Sequence, residues 1–291
     1  MMSAAAALLL CGVLSASAAP PRVDPLDAKA ADWAARGYRL KDRVSAPVGG
    51  LPVAVAVYGA ENGSGDRLEA YVVVESTAFL GFTHPSRGDF LELDTTPAGR
   101  GYKDLLGDGS RVIAYHATIR ALNATSLEIL RYEKFRFTRV GSFPEGRFVQ
   151  DGRQTLVLSR ELPLGRFLSV GCTDFGTISQ TAFRTRVFAP TPKGFVDVTA
   201  EHPKIFDEEI RRKEAALARL KDDLQKNAGE YLGLAISVYY DYAAIGRARE
   251  GWEKQKEFFS VPKHAPGAVK ACFASMRDDL RGRLGVPADW P

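Results

Sequence analysis

Gly65–Val74 reads GDRLEAYVVV, a Gly-Asp turn opening onto a run of β-branched and aromatic residues. That order is the signature of a strand entered from a tight turn. The phrase returns as Asp108-Gly109-Ser110-Arg111 before VIAY, and as Asp151-Gly152-Arg153-Gln154 before TLVL. The three Asp residues lie 42 and 43 positions apart. Each unit closes on a strand with an aromatic and a Val or Leu: Asp89–Leu93 (DFLEL), Phe135–Val140 (FRFTRV) and Gly194–Val198 (GFVDV). Several strands repeating at this period are expected of a β-propeller blade or a similar meander.

Outward from the repeat, Leu51–Tyr58 (LPVAVAVY) alternates Val with Ala at period two, which reads as a further strand. Before it, Pro20, Pro21 and Pro25 predict an extended start. Asp27–Arg36 (DAKAADWAAR) predicts a short helix anchored by Trp33 and stopped by Gly37, and Gly49-Gly50 marks a break. From 203 the period becomes helical. Asp207–Lys226 is dense in charge, with acids four residues before bases at Asp207/Arg211, Glu208/Arg212, Glu209/Lys213 and Asp222/Lys226. Phe206, Ile210, Leu217, Leu220 and Leu224 form one apolar stripe, a second runs from Tyr231 to Trp252, and a third from Val269 to Leu284. A turn at 227–229 predicts an antiparallel hairpin, with the third helix across it.

The expected fold is α+β: a repeat-built antiparallel β domain, either a partial propeller or a twisted meander, followed by a C-terminal helical domain. The expected divisions are a signal peptide over 1–18, a lead-in with a short helix over 19–48, a β-repeat domain over 49–200 and a helical domain over 203–291. The leader reading rests on the uncharged run from Ser3 to Ala19 and on Ala16-Ser17-Ala18, which matches a secretory cleavage pattern. Lipid attachment at Cys11 is the alternative. No later run is long and apolar enough to predict a membrane-spanning helix.

The repeat openings resemble the FG-GAP/VCBS-type repeat, whose loop reads D-x-N-x-D-G-x-x-D before an apolar strand. The nearest copy is Asp104-Leu105-Leu106-Gly107-Asp108-Gly109-Ser110-Arg111-Val112, in which Leu106 and Val112 replace two of the polar positions. The resemblance covers about half the chain. It implies a propeller and, in intact loops, calcium. Here only Asp104 and Asp108 are left as metal candidates, far short of the 6–8 oxygen ligands calcium takes, so no metal or other cofactor is expected.

The 291 residues are 45% hydrophobic and 25% charged, which excludes wholesale disorder. Lys+Arg 39 against Asp+Glu 35 leaves a net +4, too mild to predict a nucleic-acid partner. His84, His116, His202 and His264 are scattered, with none of the spacings of a zinc site. There is no G-x-S-x-G elbow and no phosphate loop. Removal of the leader leaves Cys172 and Cys272, a disulfide candidate in an oxidising compartment; two separate thiols are the alternative. The expected function is that of an exported, periplasmic or secreted, non-catalytic binding or scaffolding protein whose partner is a protein or cell-envelope component. The alternative is a secreted hydrolase with an unrecognised site around Cys172 or Asp104/Asp108.

Overall fold

A computed structural model describes residues 24–86, 88–101, 103–165, 168–169, 177–178, 181–260 and 263–290. Helix α1 (Pro25–Ala34) opens at Asp24, whose carboxylate accepts the Leu26 amide at 2.8 Å. Strands β1 (Tyr38–Val48), β2 (Leu51–Ala60), β3 (Asp66–Val74) and β4 (Thr77–Thr83) follow as an antiparallel meander in chain order. The second sheet repeats the arrangement with β5 (Phe90–Leu93), β6 (Arg111–Ile119), β7 (Ala124–Glu133) and β8 (Arg136–Pro144). The third holds β9 (Arg147–Asp151), β10 (Gln154–Glu161), β13 (Arg184–Thr191) and β14 (Gly194–Asp197), in the order β14-β13-β10-β9. A two-residue ribbon, β11 (Leu168–Ser169) with β12 (Thr177–Ile178), interrupts it.

The Val/Ala alternation of β2 explains the layering. Val53, Val55 and Val57 face the second sheet, where they meet Leu91, Ile113 and Tyr115. Ala54 and Ala56 face the other way, and their small side chains leave room for Leu26 and Trp33 of α1. Both faces of the strand are therefore buried. The opposite face of the second sheet, with Val112, Ala114, Leu127 and Ile129, packs on Val157 and Phe188 of the third. The third sheet turns Leu156, Val187 and Ala189 toward Phe206 of the helical region. The result is a stack of α1, three sheets and helices. Strands of equal rank lie near each other: β1 against β5 at one margin, β4, β8 and β14 in succession at the other. The α+β class and the repeated four-stranded meander are thus present, and the sheets do not close into a barrel.

Several boundaries differ from the sequence reading. The β region begins at Tyr38, not at 49: the second half of the lead-in is β1, hydrogen-bonded along β2. Gly49-Gly50 is the tip of that hairpin. Both residues have positive φ (+59° and +83°), the left-handed pair that a two-residue turn between twisted strands requires. The repeat also has another phase. Asp108-Gly109 and Asp151-Gly152 precede the second strands of their sheets, whereas Gly65-Asp66 precedes the third strand of the first sheet. Asp89–Leu93 contains the opening strand of the second sheet, not the closing strand of the first. The other two closings, Phe135–Val140 and Gly194–Val198, contain residues of β8 and β14, the last strands of their sheets.

The helical region holds α2 (Pro203–Leu220), α3 (Leu224–Ala244), α4 (Ala248–Phe258) and α5 (Gly267–Arg283). The first turn falls at Lys221–Asp223, earlier than 227–229, because the Asp223 carboxylate caps α3 by accepting the Lys226 amide at 3.3 Å. The second stripe is split between α3 and α4 at Gly246. Tyr231, Ala235 and Val238 of α3 pack with Leu217 of α2 and with Val269, Phe273, Met276 and Leu280 of α5. No helix among the described residues is long and apolar enough to cross a membrane. The leader, Cys11 and Cys172 lie outside the described residues, and with them the proposed disulfide; Cys272 is on α5.

Candidate functional site

Two loops at one end of the first two sheets approach so closely that only glycine fits. Gly65, before β3, has φ +136°, and a Cβ there would lie 2.4 Å from the Cα of Gly88. The Asp66 amide donates to the Asp89 carbonyl at 2.8 Å and joins the loops. Above this contact opens a cleft of about 620 Å³, lined by Tyr38, Ser64, Asp66, Arg67, His84 and Ser86, among others. A smaller hollow of about 400 Å³ beside it shares Gly65 and Asp66.

Among the described residues, each charged group of the cleft wall is engaged by another protein group. Asp66 is buried because β3 begins there, under the first strand of the second sheet; its Oδ2 accepts from Lys41 Nζ at 2.7 Å and from the Leu91 amide at 2.8 Å. Arg67 donates from Nε to Glu69 Oε1 at 2.7 Å and lies over the Trp33 ring at 4.2 Å. Glu69 also accepts from Trp33 Nε1 at 3.0 Å and from the Tyr71 hydroxyl, which ties α1 to the first sheet. Burial and then the hydrogen bond to Glu69 push the Tyr71 phenol well above its ordinary range.

His84 sits at the centre. Its Nδ1 is 3.0 Å from the Tyr115 hydroxyl and its Nε2 is 3.0 Å from Asp89 Oδ2. Tyr115 is fully buried between the sheets; burial, and to a lesser degree the Glu128 carboxylate, raises its phenol far above the ordinary value, so it stays protonated. Glu128 itself accepts from Ser126, Ser142 and Arg139. Both imidazole nitrogens are therefore occupied, and among the described residues the Tyr115 phenol is the one hydroxyl bonded to the ring.

Two other histidines form comparable pairs away from the cleft. His116 Nε2 lies 3.2 Å from Asp94 Oδ2. Burial alone would raise the Asp94 pKa, but the hydrogen bonds from His116 and Thr96 outweigh it and hold the carboxyl below its usual value. His202 Nδ1 lies 2.7 Å from Asp151 Oδ2 beside the start of α2. His84, directly after β4, and His202, at the N-terminus of α2, are each partners of Asp in ion-pair geometry.

The two metal candidates lie in a self-contained turn. Asp104 accepts the amides of Gly107, Asp108 and Gly109 at 2.9, 3.2 and 2.7 Å, while Asp108 accepts from the Ser110 amide and from Arg131 Nη1. Leu106, at a position that the resembled loop keeps polar, is buried between the second and third sheets. A guanidinium thus stands beside Asp108. Among the described residues no three His, Cys, Asp or Glu side chains gather as metal ligands. Asp104→Ala should cost roughly 1–2 kcal/mol in urea unfolding, because three amides lose their acceptor in an exposed loop. Calcium or chelator should leave the wild-type melting temperature unchanged; a rise of several degrees with calcium would contradict this account of the turn.

A second polar cluster, which sequence reasoning missed, lies where α2, α3 and the start of β13 meet. Lys213 and Asp241 are fully buried, with Nζ 2.5 Å from Oδ2 and 2.8 Å from Ser237 Oγ, and Nζ stands 4.4 Å from the centre of the Phe183 ring. Burial raises the Asp241 carboxyl to about 6 and lowers the Lys213 ammonium. In the sequence Lys213 reads as the partner of Glu209 on a solvated helix face. The available signal was Asp241, an acid inside the aromatic stretch Tyr239–Tyr242.

No protein-family model, curated protein or solved structure matches this chain.

Proposed function

We propose that this is an exported, non-catalytic binding or scaffolding protein, and that the cleft between the first two sheets holds an uncharged, hydroxyl-rich ligand of the cell envelope. The observation that carries the reading is the mutual pairing of the described charged residues at the wall: Lys41 with Asp66, Arg67 with Glu69, His84 with Asp89 and Tyr115. Such a wall offers fixed donors and acceptors at little net charge, which suits hydrogen bonding to a neutral polar molecule more than capture of an ion. In a hydrolase a histidine oriented by a carboxylate carries an accessible nucleophile on its other nitrogen; the hydroxyl on His84 is that of Tyr115, which is fully buried between the sheets and kept protonated by burial. The apolar leader and its small-residue exit support export.

Export is tested by N-terminal sequencing of the protein from the envelope fraction, expected to begin at Ala19; a cytosolic protein retaining Met1 would refute it. Binding is tested by calorimetric titration with neutral and with charged oligosaccharides. Neutral ones should bind, and Ser64→Trp, which fills the cleft from an exposed loop, should abolish the heat. Preference for charged oligosaccharides, or binding unchanged in Ser64→Trp, would contradict the reading.

A further inference from the structure

The strands that end the three four-stranded sheets are β1, β4, β5, β8, β9 and β14. An end strand presents unpaired backbone groups, and charged residues, proline, a bulge or a cover normally keep other strands away. Five of the six follow this rule. Lys41 and Asp42 lie on β1, Glu92 on β5, Arg136 and Arg139 on β8, Arg147 and Asp151 on β9, and Asp197 on β14. Strand β4 (TAFLGFT) has neither a charge nor a proline, and its bulge at Gly81 leaves Thr77–Leu80 in regular register with β3. It also carries two of the large apolar side chains that the fold leaves open, Phe79 and Leu80, each 55% exposed.

These two residues lie on opposite faces of the sheet. Phe79 pairs with Val72, which faces the second sheet, and Leu80 pairs with Tyr71, which lies under α1. Among the described residues neither neighbouring layer covers them. A partner docking on one face would bury one residue and leave the other. A strand added to the edge places side chains beside both at once and satisfies the free backbone groups as well.

We propose that β4 is a self-association edge, at which two copies pair their β4 strands antiparallel about a two-fold axis and join their first sheets into one. The partner is a second copy because an uncharged strand meets its own copy without like-charge repulsion, and two-fold pairing closes the edge instead of propagating a fibre. The basic β8, at the same margin of the stack, would repel its own copy. A ladder of seven residues buries less than a standard interface of about 1,600 Å², so the dimer is expected to be concentration-dependent.

Sedimentation equilibrium of the mature chain, with hydrogen exchange followed at low and high concentration, tests this. The wild type should approach twice the monomer mass as concentration rises, and amide protection should increase over Thr77–Thr83. Phe79→Lys and Leu80→Lys should remain monomeric with the circular-dichroism spectrum unchanged, whereas Phe135→Lys, which alters a still more open aromatic on a hairpin tip, should still dimerise. A wild type that is monomeric at its highest soluble concentration would overturn the proposal. So would a dimer retained in both β4 variants, or protection that rises elsewhere but not on β4. Should the β4 variants fail to fold, the wild-type exchange pattern decides alone.

Discussion

Replacing Lys213 with Met, or Asp241 with Leu, should each destabilise the protein by about 3–5 kcal/mol, while the double replacement should be near neutral or more stable by about 1–4 kcal/mol. The asymmetry follows from burial. Both groups are fully enclosed, and their 2.5 Å contact is the main compensation for taking two charges out of water. Removing one leaves the other charged and unpaired; removing both leaves two apolar side chains among Phe183 and the α2–α3 packing. Urea unfolding with an unchanged denaturant slope is the measurement, and single variants that cost under about 1 kcal/mol would contradict the geometry.

The same pair predicts a pH signature. Burial raises the folded Asp241 carboxyl from 3.8 to about 6, above its unfolded value. The stability contributed by its protonated form is fully present below the unfolded value and is lost as pH rises through about 6. Relative to the double variant, the wild type should therefore weaken between pH 4 and 7.

Gly65→Val should be the most damaging change at the cleft, at about 2–4 kcal/mol, with loss of ligand binding. Any Cβ there meets backbone, 2.4 Å from Gly88 Cα and 2.8 Å from its carbonyl carbon, so no side-chain rotation relieves it. The φ of +136° adds backbone strain. Gly63→Ala is the control: its φ is also positive, at +67°, but nothing lies within 4 Å of the added methyl. It should cost only about 1–2 kcal/mol and leave binding intact. Equal effects from the two would mean that the loop contact does not shape the cleft.

Periodicity made most of the layering legible. The Val/Ala strand, the Asp-Gly turns and the three helical stripes each reflect a local rule, and each leads to an element of the right type. The phase of the repeat was not legible, because an Asp-Gly turn opens a second strand as readily as a third. The connection from β5 to β6 also inserts residues 94–110 into one unit only. Strand β1 was obscured by Arg39, Lys41, Asp42 and Arg43, charges that suit an end strand but mask its alternation. The helix break at Lys221–Asp223 was hidden because the apolar stripe continues through it to Leu224. The candidate site was less readable still. His84 meets Asp89 five residues on, but also Tyr115 on another sheet, and nothing local signals a contact of that range. Lys213 looked solvated because its nearest acid in sequence is Glu209, whereas its buried partner lies a helix away.

The reading of the cleft as a binding site without hydrolytic chemistry is tested most directly by backbone chemical-shift mapping during titration with a neutral oligosaccharide, followed by mass spectrometry of the recovered sugar. The prediction is saturable shifts confined to Ser64–Arg67 and His84–Gly88, with the oligosaccharide recovered intact. Shifts concentrated elsewhere on the molecule, or an oligosaccharide recovered cleaved, would contradict it.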